Sequence, residues 1–329
     1  MNDAFWGIDI GGTNVKLGLV SGEGEILARG SIPTQLPDGP DVLVDRISEV
    51  CRGQVEQAGI PLDQVRALGI GCPGPLDLKN GKLLRTANLT GYNFFPLRAK
   101  MSEKLQRPSV LDNDANMICW GEFWMGAGKD VSDMILYTLG TGIGGAIVCE
   151  GEIVHGHFGN GGELGHIIVH PDGRECGCGQ KGCLEAYASA TQIVRRFTEA
   201  LATGRDSSLK KINATGRKIT SKDVFTAGGQ GDELAMEIID GMCRALALAS
   251  VSMRHATEPE MVILAGGVSK VGGVLTDRVK KFYDQTMWKL NDDPMEFAIA
   301  KLGDDAGIVG TAGAALHAWQ KDQLYPVGQ

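Results

Sequence analysis

Residues 5–20 read Phe-Trp-Gly-Ile-Asp-Ile-Gly-Gly-Thr-Asn-Val-Lys-Leu-Gly-Leu-Val, two apolar runs meeting at Gly11-Gly12-Thr13. The runs at 5–10 and 15–20 predict two strands of a hairpin, and 25–33 alternates well enough to add a third. A β-meander therefore opens the chain. The same pattern returns near residue 133, where Met134-Ile-Leu-Tyr-Thr-Leu leads into Gly140-Thr-Gly-Ile-Gly-Gly and then Ala146-Ile-Val-Cys. Between the copies, Val42, Leu43, Val44, Ile47, Val50 and Val55 recur at helical spacing, and Ala67-Leu-Gly-Ile-Gly-Cys is a buried strand entering the turn Pro73-Gly74-Pro75. Strand, helix, strand implies a parallel or mixed sheet, so the expected class is α/β with a duplicated meander core.

Length supports the duplication, because 329 residues exceed one ordinary core and suit two lobes of about 150 residues each with a cleft between them. The expected division is a smaller N-terminal α/β lobe over 1–114, joined by a C-terminal helix over 306–323, and a larger lobe over 115–305 carrying the metal loop and the nucleotide turns. A net charge of −8 argues against a phosphate-backbone partner, since such proteins carry a basic face. No basic n-region precedes an apolar stretch and no run of about 18 apolar residues occurs. The expectation is a cytoplasmic protein with neither a nucleic-acid nor a membrane partner.

Three glycine turns suit phosphate chemistry. Asp9-Ile-Gly11-Gly12-Thr13 ends a strand on a carboxylate and follows it with backbone N–H groups bare of side chains, Thr13 adding a hydroxyl and Asp9 placed to hold water on Mg²⁺. Gly140-Thr141-Gly142-Ile-Gly144-Gly offers the same cradle in the second half. Gly266-Gly267, after Met261-Val-Ile-Leu, lets a flat base approach the backbone. Each alone also reads as an ordinary tight turn; together they resemble the phosphate-1, phosphate-2 and adenosine motifs of the two-lobed actin-like ATPase superfamily, with its ribonuclease H-like core, which implies ATP.

Ser109-Val-Leu-Asp112-Asn113-Asp114-Ala-Asn116 predicts a strand ending in polar residues, with a helix over 115–125. One Asp there is explained as an N-cap contributing about 1 kcal/mol. Four clustered polar residues ask for more. An alcohol kinase needs a carboxylate to accept the hydroxyl proton and amides to fix neighbouring hydroxyls, which points to Asp114 as base and Asn113 as sugar ligand.

Glu163-Leu-Gly-His166 precedes Cys176-Gly-Cys178-Gly-Gln-Lys-Gly-Cys183-Leu-Glu185. One His and three close Cys meet the four-ligand rule for structural zinc, whereas three thiols cannot all pair as disulfides. The second imidazole nitrogen of a ligating His166 is free for a sugar hydroxyl, and Glu163 and Glu185 flank the loop as further sugar ligands.

With Asp9-Ile-Gly-Gly-Thr, Gly71-Cys-Pro-Gly-Pro, Asn113-Asp-Ala-Asn, Leu139-Gly-Thr-Gly-Ile-Gly-Gly, Glu163-Leu-Gly-His and the Cys motif in order along it, the chain resembles the repressor/ORF/kinase (ROK) family, and within it the bacterial glucokinases. The resemblance implies ATP-dependent phosphorylation of a hexose, glucose first, with fructose, mannose, N-acetylmannosamine, N-acetylglucosamine or allose as alternatives. It implies Asp114 as catalytic base, His166, Cys176, Cys178 and Cys183 on zinc, and Asn88, Asn113, Glu163, His166 and Glu185 on the sugar. A homodimer is also implied. Tyr92, where Trp is common, and the bulky Met117, Ile118 and Trp120 depart from the family pattern, and Cys72 lies in the sugar-side turn. The family's sugar-sensing repressors carry an N-terminal helix-turn-helix, for which a first strand at residue 5 leaves no room. A catalytically silent sugar-binding module is disfavoured by the intact Asp114 and phosphate turns.

Overall fold

The computed structural model describes residues 3–85, 88–214, 216–288 and 294–329. In chain order its strands are β1 (Ala4–Ile10), β2 (Asn14–Ser21), β3 (Ile26–Pro33), β4 (Val65–Cys72), β5 (Leu76–Asp77), β6 (Lys82–Leu83), β7 (Ser109–Asn113), β8 (Met134–Leu139), β9 (Ile143–Cys149), β10 (Glu152–Ile153), β11 (Met261–Ala265) and β12 (Glu296–Ile299). Its helices are α1 (Pro40–Ala58), α2 (Leu97–Leu105), α3 (Asp114–Trp124), α4 (Glu185–Ala188), α5 (Ala190–Ala202), α6 (Lys210–Ala214), α7 (Ser221–Gly229), α8 (Glu233–Thr257), α9 (Gly273–Thr286) and α10 (Ala306–Gln320). Among the described residues no helix is long and apolar enough to cross a membrane.

The chain folds into two compact units. The first runs through Asp130 and takes in Ile153–Gly162 and Lys301–Gln329; the second holds Val131–Glu152 and Glu163–Ala300. The division expected after residue 114 thus falls inside the first unit, at the start of α3, because that helix packs on α10. The C-terminal helix belongs to the first unit.

Each unit is built on the same five-stranded sheet, ordered β3-β2-β1-β4-β7 in the first and β10-β9-β8-β11-β12 in the second. In both, a hairpin runs antiparallel (β1 with β2, β8 with β9) and two parallel strands follow (β4 and β7, β11 and β12). The duplication read from the glycine turns is therefore a duplication of topology.

Alternation along β1 assigns its faces. Trp6, Ile8 and Ile10 enter a core with Leu43, Val44 and Ile47 of α1, while Phe5 on the other face packs with Ala312, Ala315 and Leu316 of α10. Gly7 of β1 and Gly69 of β4 let α10 lie directly on the sheet, since a Cβ at either position would strike the carbonyl of Ile308 or Thr311. Asp9 continues the Phe5 and Gly7 row. The sequence places its carboxylate, by period two, against the first turn of α10.

The buried Glu122 of α3 ties off this arrangement by accepting N–H groups of Ala127, Lys301 and Leu302 at 2.8–2.9 Å. Met117 and Trp120 are buried in the same region: a Cβ at Gly310 of α10 would strike the Met117 carbonyl, and the Trp120 ring lies 4.6 Å from that of His317. Their bulk, a departure from the family pattern, goes into packing: the Met117 side chain lies against Gly71 of β4, and the Trp120 ring against α10. In the polar stretch 203–219, residues Lys210–Ala214 form the short α6.

Candidate active site

In the first unit the parallel register aligns Asp9 of β1 with Gly71 of β4, and Gly71 with Asp112 of β7. Three C-terminal strand ends therefore deliver Asp9, Cys72, Asp112, Asn113 and Asp114 to one edge of the sheet, where open α/β sheets bind ligands. Their proximity is felt electrostatically. Burial first, and then the Asp114 carboxylate, raise the pKa of Asp9 from its ordinary 3.8 to about 6, with Lys16 opposing. A Cβ at Gly307 in the first turn of α10 would strike Asp9 Oδ2, so the missing side chain makes room for the carboxylate at a helix N-terminus. Burial pushes the Cys72 thiol well above its usual range, and the Asp114, Asp112 and Asp9 charges add to it. Cys72 is fully buried and is held as a neutral, unreactive thiol.

The first glycine turn is closed by Gly11 N–H donating to Asn14 O at 2.9 Å. Thr34, which the sequence reading missed, clamps it from behind, its hydroxyl donating to Gly11 O at 2.7 Å and its N–H to Thr13 O at 2.8 Å. Gly12 and Thr13 stay exposed. Asn88 is exposed beside this turn, its carbonyl 3.1 Å from where a Gly12 Cβ would stand; Thr86 and Ala87 of its motif lie outside the described residues.

At the β7–α3 junction, Asn113 is the N-cap, its Oδ1 accepting the Ala115 N–H at 2.8 Å, and Asp114 Oδ1 lies 2.9 Å from the same N–H. Both side chains meet the same N–H, so the cap does not require Asp114. Asp112 is buried and engaged by Asn113, Asn116 and His155, which makes it a structural group. The Asp–His pair was not legible, its members standing 43 residues apart in sequence.

In the second unit Gly140 N–H donates to Gly142 O at 3.0 Å, closing a turn one residue tighter than the first. The N-terminus of α5 abuts it, with Ala190 N–H on Gly140 O at 2.9 Å and the Thr191 hydroxyl on Thr141 O at 2.8 Å, and this brings the positive end of a helix dipole behind the turn. Glu185 at the start of α4 accepts the Ile143 N–H at 2.9 Å. Gly266, at φ 89°, packs against the end of β8, where a Cβ would sit 2.7 Å from Leu139 O. The two glycine turns of this half are therefore adjacent, and Gly267 is exposed beside them.

The side chains of His166, Cys176, Cys178 and Cys183 bring one ligand atom each within 4.8 Å of all the others. His166 Nδ1 is 3.7 Å from Cys176 Sγ, and Cys178 Sγ is 3.7 Å from Cys183 Sγ. A tetrahedron with zinc bonds of about 2.0–2.3 Å has edges of about 3.7 Å, so the spacing fits that ion. Cys176 and Cys183 are buried and Cys178 is exposed. Glu185 Oε1 lies 3.6 Å from Cys176 Sγ, so one carboxylate touches both the cysteine loop and the second glycine turn. Glu163 is exposed at the start of the turn that carries His166, its carbonyl accepting the His166 N–H at 3.0 Å.

A sequence model of the ROK family matches residues 5–318. A glucokinase of Halalkalibacterium halodurans is 37% identical over 312 residues, 94% of each chain. Among solved structures, a ROK hexokinase from Thermus thermophilus matches with a TM-score of 0.82 at 29% identity, covering 98% of this chain and all of that one. A ROK family glucokinase from Streptomyces griseus, in complex with glucose and AMPPNP, matches with a TM-score of 0.77 at 34% identity, covering 95% and 99%. The actin-like α/β fold expected from the paired turns is the one shared with these kinases.

Proposed function

The chain belongs to the ROK family, and on that premise we propose that it transfers the γ-phosphoryl group of ATP to a hexose, converting glucose to glucose 6-phosphate. The observation that carries the reading is the strand edge of the first unit, where Asp114 follows an Asn that already supplies the helix cap and stands close enough to Asp9 to raise its pKa. With Asn113 on the same N–H, the helix cap does not depend on the Asp114 carboxylate alone. Asp114 accepts the proton of the sugar hydroxyl as it attacks phosphorus, and Asn88, Asn113, Glu163, His166 and Glu185 hold the remaining hydroxyls.

The turns at Gly11, Gly12 and Thr13 and at Gly140, Thr141, Gly142 and Gly144 hold phosphate oxygens, and Gly266 and Gly267 receive the base. Asp9, buried beside a second carboxylate, has the environment of a group that waits for a cation, and Mg²⁺, when bound, neutralises charge on the transferring phosphate. His166 Nδ1 and the three thiolates would hold zinc, which when bound would fix the loop that carries Glu185, and His166 Nε2 would remain for a sugar hydroxyl. The reading carries with it a cytoplasmic homodimer with no nucleic-acid or membrane partner.

The test is ADP release with Mg²⁺ and ATP against glucose, mannose, fructose, allose, N-acetylglucosamine and N-acetylmannosamine. Glucose is expected to give the highest kcat/KM. Absence of hexose-stimulated ADP release would overturn the proposal, and glucose binding without turnover would replace it with a sugar sensor.

A further inference from the structure

The strand end that carries Asp114 is fastened by a side chain from a remote part of the sequence. Asp112 has a side chain only 9% exposed and uses both carboxylate oxygens. Oδ1 accepts the Asn113 N–H at 2.7 Å and the Asn116 amide at 2.8 Å, and Oδ2 lies 2.6 Å from His155 Nε2. A carboxylate only accepts, so Nε2 carries the shared proton.

We infer that His155 is a positioning residue for the catalytic turn: it holds the Asp112 carboxylate in the one orientation that fixes Asn113 and Asn116 on either side of Asp114. The inference rests on the reading of Asp114 as the base.

The chain of contacts is continuous. Asp112 holds the N–H of Asn113, Asn113 Oδ1 holds the N–H of Ala115, and Asp114 stands between these two residues. Without a donor on Oδ2, the nearly buried carboxylate must turn toward water or exchange its oxygens, and either motion releases Asn113 or Asn116. A shift of about 1 Å in a reacting group costs on the order of a hundredfold in rate.

The segment that brings His155 is itself seated in the first unit. Leu76 N–H donates to Asn160 Oδ1 at 3.4 Å, and a Gly159 Cβ would stand 3.2 Å from the Leu78 side chain. The imidazole thus arrives from an anchored strap and is half-exposed on its outer side. A histidine kept only for packing would have no need of Nε2 at 2.6 Å from this carboxylate.

His155→Leu removes the donor at similar volume, and His155→Gln places an amide nitrogen at about the reach of Nε2. In His155→Leu, kcat is expected to fall roughly ten- to hundredfold while KM for ATP moves less than about threefold, and His155→Gln is expected to recover most of the loss. Amide exchange at Asn113 and Ala115 is expected to quicken about tenfold in His155→Leu and to return in His155→Gln, with exchange in α8 unchanged. This second readout needs no turnover, so it decides the clamp even if the wild-type chain phosphorylates no hexose and the kinase reading fails. Unchanged exchange in His155→Leu, an unchanged kcat, or equal losses in the Leu and Gln variants would overturn the inference.

Discussion

The two glycine hairpins sit at the same place in the same five-stranded frame, yet their surroundings differ in kind. Two residues before the first turn stands Asp9, paired with Lys16; two before the second stands Thr138, whose hydroxyl accepts the Gly144 N–H of its own hairpin at 3.0 Å. The first strand end is charged and buried, and carbon is kept away from it at Gly307. The second is neutral and braced from outside by Glu185 and the N-terminus of α5. Duplication supplied two glycine hairpins, and the proposed function divides the work along their difference, with proton and cation chemistry in the first unit and nucleotide and metal-braced binding in the second.

The comparison would break most visibly at Asp114. Asp114→Asn keeps size and leaves the Asn113 cap in place, so stability is expected to hold within about 1 kcal/mol and sugar KM to change little, while kcat falls by roughly 10² to 10⁴. Steady-state kinetics beside a thermal melt check this; a near-normal kcat would return Asp114 to the role of a helix-start residue.

On the second unit the largest effect belongs to the cysteine loop. The native chain is expected to carry one tightly held zinc, read by elemental analysis after chelator washing. In Cys178→Ala, melting temperature and activity should fall together as the metal is lost, because apparent zinc binding in such sites contributes on the order of 10 kcal/mol to folding. Loss of activity with zinc and stability retained would show that the loop acts otherwise than as an anchor.

A smaller and sharper pair lies in the turn itself. A Cβ at Gly142 would strike Glu185 Oε2, whereas at Gly140 its nearest neighbour, Gly142 O, is 3.9 Å away. Gly142→Ala is therefore expected to raise the glucose KM roughly tenfold or more, a loss of about one charge-assisted hydrogen bond, and Gly140→Ala to act on the ATP KM alone. Equal effects of both on glucose would dissolve the assigned role of Glu185.

Much of this division was legible in the sequence, for a physical reason. The glycine turns, the Asn113-Asp114 junction and the Cys cluster are local, their spacing alone limiting the chemistry open to them. Thr34, His155 and Gly307 were invisible because each acts across the fold; Thr34 clamps a turn 23 residues away and the His155–Asp112 pair spans 43. Glycine inside a predicted strand was the one available signal. Gly7 and Gly69 mark where α10 meets the sheet, and reading them so would have placed the C-terminal helix, and with it Gly307, against Asp9. The first unit runs on past residue 114 for the related reason that α3 packs on α10, a partner far along the chain.

The most direct measurement compares Asp9 with its counterpart Thr138 in cation binding. Mn²⁺, as a spectroscopic stand-in for Mg²⁺, is titrated with a non-hydrolysable ATP analogue into the wild-type chain, Asp9→Asn and Thr138→Val, and bound metal is followed by electron paramagnetic resonance. A proton competes for an Asp9 whose pKa is about 6, so wild-type binding should weaken as pH falls through 6 and recover with added metal. The same raised value means that the ionised carboxylate destabilises the fold above pH 6 and not below its unfolded value near 4; Asp9→Asn should therefore melt higher at pH 7 to 8, by on the order of 1 to 3 kcal/mol, and no higher at pH 4. The expected result is that Asp9→Asn weakens metal–nucleotide binding at least about tenfold, the equivalent of one lost charge-assisted contact, while Thr138→Val stays within about threefold. Equal binding by all three proteins, or an equal loss in both variants, would contradict the assignment of cation chemistry to the first hairpin.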